Sequence, residues 1–155
     1  MGYYCDTWMS EPQGLLDGGS NMRGPSETPL RVLIVDDNID TAGSLSVLLR
    51  MWGHEVRSTH DGVSALELCT EFRPDAVVLD IGLPHMDGFE VAARLRALPA
   101  FERTLIVGSS GYSREADRQR AAEVGINLYF VKPFDPSQLE SILEAHRATL
   151  LPIPA

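Results

Sequence analysis

The amino-acid sequence predicts a doubly wound α/β domain: a five-stranded parallel sheet with helices on both faces. Three observations carry this. From Leu30 onward, short runs rich in β-branched residues alternate with segments of helical apolar spacing, repeating about every 20–25 residues. The clearest runs, residues 32–35 and 76–79, are apolar without alternation, as in strands covered on both faces. A strand–helix–strand order maintained throughout requires right-handed crossovers between parallel strands.

The elements follow in order. Residues 32–35 form the first strand. Ala42, Leu45, Leu48, Leu49 and Trp52 then recur at helical spacing, and Gly53 stands where a left-handed helix terminator is expected. Residues 54–59 alternate and suit a sheet edge; Ala65, Leu66, Cys69 and Phe72 make a second helical stripe, closed by Pro74. Residues 76–79 are the third strand, and Phe89, Ala92, Ala93, Leu95 and Arg96 ride a third helix that stops before Pro99. Residues 105–107 supply a fourth strand, 114–124 a fourth helix with little apolar surface, and 128–131 a fifth strand stopped by Pro133. Leu139, Ile142, Leu143 and His146 mark the last helix.

Composition bounds the organisation and the function. At 155 residues the chain has room for one domain, expected over 30–150, with tails at 1–29 and 151–155. Residues 1–29 hold five Gly and three Pro without periodicity, which predicts a mobile tail or a stretch ahead of a later start at Met22. Tyr3, Tyr4, Trp8 and Met9 make that stretch more apolar than most disordered segments. A net charge of −9 argues against nucleic acid as a direct partner, because phosphate affinity needs clustered basic residues. Cys5 and Cys69 lack the companions a disulfide framework or zinc site needs, and a reducing, cytoplasmic setting is expected. No run approaches the ~18 apolar residues of a membrane span, so no membrane association is expected.

In sheets of this kind chemistry gathers beyond the carboxyl ends of the strands. The first strand ends in Asp36 and Asp37, the third in Asp80, the fourth in Ser109 and Ser110, and the fifth in Lys132 and Pro133. Asp36 or Asp37 alone reads as a helix cap. The set does not, because caps have no reason to bring Asp80 and Lys132 to the same crevice. Two like charges about 4 Å apart repel by about 4 kcal/mol at an effective dielectric of about 20, so gathered carboxylates call for a cation. Oxygen ligands with retained waters suit Mg²⁺. Lys132 is the only lysine beside twelve arginines, and a compact ammonium acts on a phosphate oxygen as a point charge. Neither a P-loop nor a dinucleotide-binding glycine pattern occurs. An aspartyl phosphatase would want a second carboxylate two residues after Asp80, where Gly82 stands. His54, His60, His85 and His146 show no catalytic or ligand spacing and are read as surface or packing residues.

The loops resemble the receiver domain of two-component response regulators, from Leu30 to about Leu150. The matching motifs are VLIVDDN at 32–38, VVLDIGLPHMDGFEV at 77–91, SGY at 110–112 and YFVKPF at 129–134. Their separations fit as well: 43 residues from Asp37 to Asp80, 30 more to Ser110 and 22 more to Lys132. The resemblance implies the flavodoxin-like receiver fold, with Asp80 as phosphoacceptor for the phosphohistidine of a sensor histidine kinase or histidine phosphotransfer protein. It implies Mg²⁺ held by Asp36, Asp37, Asp80 and the Gly82 backbone carbonyl. Ser110 matches the switch hydroxyl, ahead of Ser109, and Tyr129 the aromatic that responds to it. Gly82 and Tyr112 match positions that influence the lifetime of the acyl phosphate, and Pro133 a cis proline that orients the lysine.

Only 23 residues follow Lys132, so a DNA-binding output domain is not expected in this chain. The expected role is phosphorelay signalling through a downstream protein target, from a stand-alone receiver or one belonging to a hybrid kinase. It would act as an enzyme only on its own aspartyl phosphorylation and dephosphorylation. The fourth helix, fifth strand and fifth helix are the expected partner or homodimer surface. The alternative is a pseudo-receiver adaptor that is never phosphorylated.

Overall fold

The computed structural model describes residues 28–112 and 114–150. The two predicted tails lie outside the described residues, apart from residues 28 and 29. The elements are β1 (Arg31–Val35), α1 (Ile39–Met51), β2 (Glu55–Thr59), α2 (Gly62–Phe72), β3 (Ala76–Asp80), α3 (Gly88–Arg96), β4 (Leu105–Ser110), α4 (Glu115–Glu123), β5 (Leu128–Val131) and α5 (Pro136–Leu150). A short 3-10 turn, Pro99–Phe101, precedes β4. All pairings are parallel, and the strand order is β2-β1-β3-β4-β5.

Short-range chemistry starts the helices. Asn38, Asp61 and Asp87 each sit in extended backbone and accept a hydrogen bond from the amide three residues on, which satisfies a donor the helix leaves open. α4 has no such cap. α1 ends at Gly53, whose φ of 95° few other residues adopt; α2 ends at Arg73, in left-handed backbone at φ 54°, with Pro74 barring any continuation.

Alternation along the central strands builds two cores. Val32, Ile34 and Val78 point to one face, where Ala42 and Leu49 of α1 and Leu139 and Leu143 of α5 cover them. Leu33, Val35, Val77 and Leu79 point to the other, under α2, α3 and Ala121 of α4. In α3 the inward side chains are Phe89, Val91, Ala92 and Leu95; Ala93, expected inward, faces out. α4 buries Ala121 alone. No helix among the described residues is long and apolar enough to cross a membrane.

From β1 the chain passes to β2 on one side and then crosses back to β3 on the other side of β1. The crevice between the carboxyl ends of β1 and β3 is therefore the topological switch point, where ligands bind in such sheets.

Candidate functional site

Three strand ends supply the crevice. Asp36 follows β1 directly, Asp80 closes β3, and Lys132 follows β5. Asp36 and Asp80 are buried and Asp37 is exposed, and one carboxylate oxygen from each lies within 4.8 Å of the others. Lys132 Nζ donates to Asp36 Oδ2 at 3.1 Å and lies 3.5 Å from Asp80 Oδ1. The Lys132–Pro133 peptide is cis.

Each carboxylate is also held by backbone. The Asn38 amide donates to Asp36 Oδ1 (2.9 Å) and the Gly82 amide to Asp80 Oδ1 (3.0 Å). Burial raises the Asp80 carboxyl above its ordinary range. The Gly82 amide and the Lys132 ammonium pull it back, while the charges of Asp36 and Asp37 push it further up. Burial alone would lower the Lys132 ammonium, but its hydrogen bond to Asp36 and the negative charges of Asp80 and Asp36 leave it raised and protonated. Three carboxylates facing one ammonium leave the crevice short of positive charge.

The β3–α3 loop is tightly seated under Asp80. A Cβ at Gly88 would lie 2.7 Å from the Asp80 carbonyl oxygen and from Ile81 Cα, so only glycine lets α3 start so close to the strand end. Gly82 differs. A Cβ there would meet only Asp80 Oδ1, at 3.7 Å, so that flank of the carboxylate is open.

Ser109 and Ser110, adjacent in β4, point to opposite sides of the strand. Ser109 pairs with Asp80 in the sheet and lines a cavity of about 650 Å³ between α1 and the segment from Lys132 to Pro136. The Ser110 hydroxyl accepts a hydrogen bond from the Tyr112 amide at 3.1 Å. The Tyr112 carbonyl in turn accepts from the hydroxyl of half-buried Tyr129 at 3.3 Å. Ser110, Tyr112 and Tyr129 thus form one connected run.

Two residues of the site are given no role by the sequence reading. His60 Nδ1 donates to the Asp36 carbonyl at 2.9 Å, a contact set by the pairing of Val35 with Thr59. Gly88 is one of thirteen glycines until α3 is seen against Asp80. Of the other histidines, His85 is exposed and two make hydrogen bonds. His54 is buried and accepts from the Leu30 amide, and His146 donates to the Asp75 carbonyl.

A family model for the response regulator receiver domain matches residues 32–144. This chain belongs to the response-regulator receiver family. The transcriptional regulatory protein PrrA of Mycobacterium tuberculosis is 42% identical over 118 residues, covering 76% of this chain and 50% of that protein. A 14.6 kDa protein of Leptolyngbya boryana is 36% identical over 115 residues, covering 74% of this chain and 88% of that protein. The chemotaxis response regulator CheY4 of Vibrio cholerae superposes with a TM-score of 0.71 at 31% identity, over 77% of this chain and 99% of that one. The receiver domain of the sensor histidine kinase PA1611 from Pseudomonas aeruginosa, solved with magnesium in its active-site cleft, gives 0.71 at 28% identity over 78% and 99%. The chain spans about half the length of PrrA and of the response regulator MprA. As a receiver domain it is a phosphorylatable module of two-component signalling, a family whose members interact with histidine kinases or phosphotransfer proteins.

Proposed function

We propose that this receiver accepts a phosphoryl group on Asp80 from the phosphohistidine of a sensor kinase or phosphotransfer protein, and that the result is a change in protein–protein contacts. The observation that carries the reading is the meeting of the Asp80 carboxylate with Asp36, Asp37 and Lys132 in one crevice.

The donor set fits Mg²⁺: three hard oxygens within 4.8 Å of one another, one of them exposed, leaving room for retained waters and phosphate. Asp36, Asp37 and Asp80, with the Gly82 carbonyl, would hold it, and when bound it supplies the positive charge that three carboxylates and one ammonium lack. The remaining work belongs to the chain. An Asp80 carboxylate oxygen attacks phosphorus as the P–N bond to the donor imidazole breaks, and the imidazole leaves with the electron pair. Lys132, fixed by Asp36, neutralises charge on the transferred group. Ser110, two residues ahead of the exposed Tyr112, supplies the hydroxyl drawn towards the phosphoryl oxygens, and Tyr129 answers it. The chain is then a catalyst only of its own modification. The surface that changes is α4, β5 and α5, a face for a downstream protein or a second copy.

Acetyl phosphate or a phosphorylated kinase domain, with Mg²⁺, should add one alkali-labile phosphoryl group, and Asp80→Asn should abolish it. Label persisting on that variant at the original rate removes the assignment; no label on the wild type favours an adaptor that is never phosphorylated. Millimolar Mg²⁺ should raise the melting temperature of the wild type and not that of Asp37→Ala.

A further inference from the structure

Among the three carboxylates of the crevice, Asp37 is the one whose side chain is not held. Asp36 is gripped at both oxygens, Oδ1 by the Asn38 amide at 2.9 Å and Oδ2 by Lys132 Nζ at 3.1 Å, and Asp80 Oδ1 accepts from the Gly82 amide at 3.0 Å. The Asp37 carboxylate is exposed and has no hydrogen-bond or ion-pair partner among the described residues. Its place beside the other two depends on the backbone that carries it, and first on the peptide joining it to Asp36.

That peptide is pinned at its carbonyl. The parallel ladder of β1 and β2 runs to Val35 and Thr59 and is carried one residue further by the Asp36 amide, which donates to the Thr59 carbonyl at 3.1 Å. There β2 ends, because Asp61 turns away to cap α2, accepting hydrogen bonds from the Ser64 amide at 2.8 Å and the Ser64 hydroxyl at 3.0 Å. The next rung comes from a side chain: His60 Nδ1 donates to the Asp36 carbonyl at 2.9 Å. The support behind His60 is stiff. Besides the Asp61 cap, Gly62 is seated so close to Met86 that a Cβ there would lie 2.9 Å from the Met86 carbonyl oxygen, which ties the β2–α2 loop to the β3–α3 loop.

We propose that His60 is a positioning residue for the divalent cation: by holding the Asp36–Asp37 peptide it keeps the Asp37 carboxylate aimed into the crevice. The proposal rests on the reading of Asp36, Asp37 and Asp80 as Mg²⁺ ligands, and His60 acts through the backbone rather than as a further ligand. A carboxylate free to swing must be ordered when the cation binds, whereas one already in place need not be, and the difference appears in the affinity.

Mg²⁺ titrations of the full chain test this, followed by backbone amide resonances and run at about pH 8, where an ordinary imidazole is neutral. His60 is exposed, so its replacement leaves the core intact. His60→Ala should weaken Mg²⁺ binding about two- to tenfold, the usual contribution of one hydrogen bond. Asparagine can place an amide nitrogen where Nδ1 stands, so His60→Asn should bind within about twofold of the wild type. His60→Gln reaches one bond further and should not recover the loss. In the metal-free proteins His60→Ala should speed hydrogen exchange of the Asn38 amide about threefold and leave the Gly82 amide unchanged. Ser58→Ala, an exposed change in the same strand, should alter neither affinity nor exchange. Wild-type affinity or wild-type exchange at Asn38 in His60→Ala overturns the proposal, as does an equal loss of affinity in His60→Asn. Failure of the wild type to bind Mg²⁺ overturns the ligand reading instead, and exchange in the metal-free proteins still decides whether His60 holds the peptide.

Discussion

Gly88 shows how closely single residues are tied to the crevice. Its missing side chain lets the first turn of α3 lie against the Asp80 carbonyl, and its own amide donates to the Ile81 carbonyl at 3.0 Å. Gly88→Ala must push the loop or the strand end away, so we expect a loss of about 1–3 kcal/mol in urea unfolding. If Asp80 is the acceptor proposed above, its phosphorylation should slow as well, because its carboxylate is carried on the displaced backbone. Gly82→Ala, two residues after Asp80, has space and should do neither to that extent. Cys69 marks the opposite extreme, a residue with no chemistry to offer. Burial pushes its thiol up to about 12, so the thiolate fraction near pH 8 is on the order of 10⁻⁴. Iodoacetamide should therefore modify Cys69 only after unfolding, as peptide mapping of native and urea-treated protein would show.

Among the elements, α2 carries an avoidable strain. Arg73 ends it in left-handed backbone, its amide bonding the Cys69 carbonyl, where the equivalent terminators after α1 and α4 are Gly53 and Gly125. A side chain in that conformation costs about 1 kcal/mol, of which glycine's greater unfolded-state entropy takes back a part. Arg73→Gly should raise the urea midpoint by the equivalent of a few tenths to about 1 kcal/mol without altering its slope. The helices also differ in how they are anchored. α1 and α5 sink leucines into the sheet, whereas α4 buries only Ala121. A helix with so few apolar contacts opens at low cost.

For the whole molecule, stability should depend on pH through His146 of α5. Its Nε2 donates to the Asp75 carbonyl. Burial lowers its pKa from the ordinary 6.5; Asp75 acts against the shift and Arg103 with it. The fold thus prefers the neutral ring, and the unfolded chain binds more protons between the two pKa values. Stability from this group is intact above about pH 6.5 and falls as the pH drops towards the folded value. His146→Gln keeps an N–H donor and does not titrate. Between about pH 7.5 and 5.5 the wild type should lose more melting temperature than this variant; equal losses would show that His146 does not control the transition.

How much of this was legible before folding divides along the range of the interactions. Strand and helix order, the terminator at Gly53, the barrier at Pro74 and the set Asp36, Asp37, Asp80, Ser110 and Lys132 follow from patterns a few residues long, because backbone geometry repeats every two or 3.6 residues. The 3-10 turn Pro99–Phe101 is too short to show a period, and alanines fit either side of a nine-residue helix, so Val91 rather than Ala93 faces the core for reasons that lie in α2. Tertiary structure alone decided the strand order, the seat of His60 on Asp36 and the fit of Gly88 beneath Asp80. The Lys132–Asp36 contact joins residues 96 apart. Such contacts depend on sheet register and helix placement, which are set by packing of the whole core and leave no mark on the neighbouring sequence.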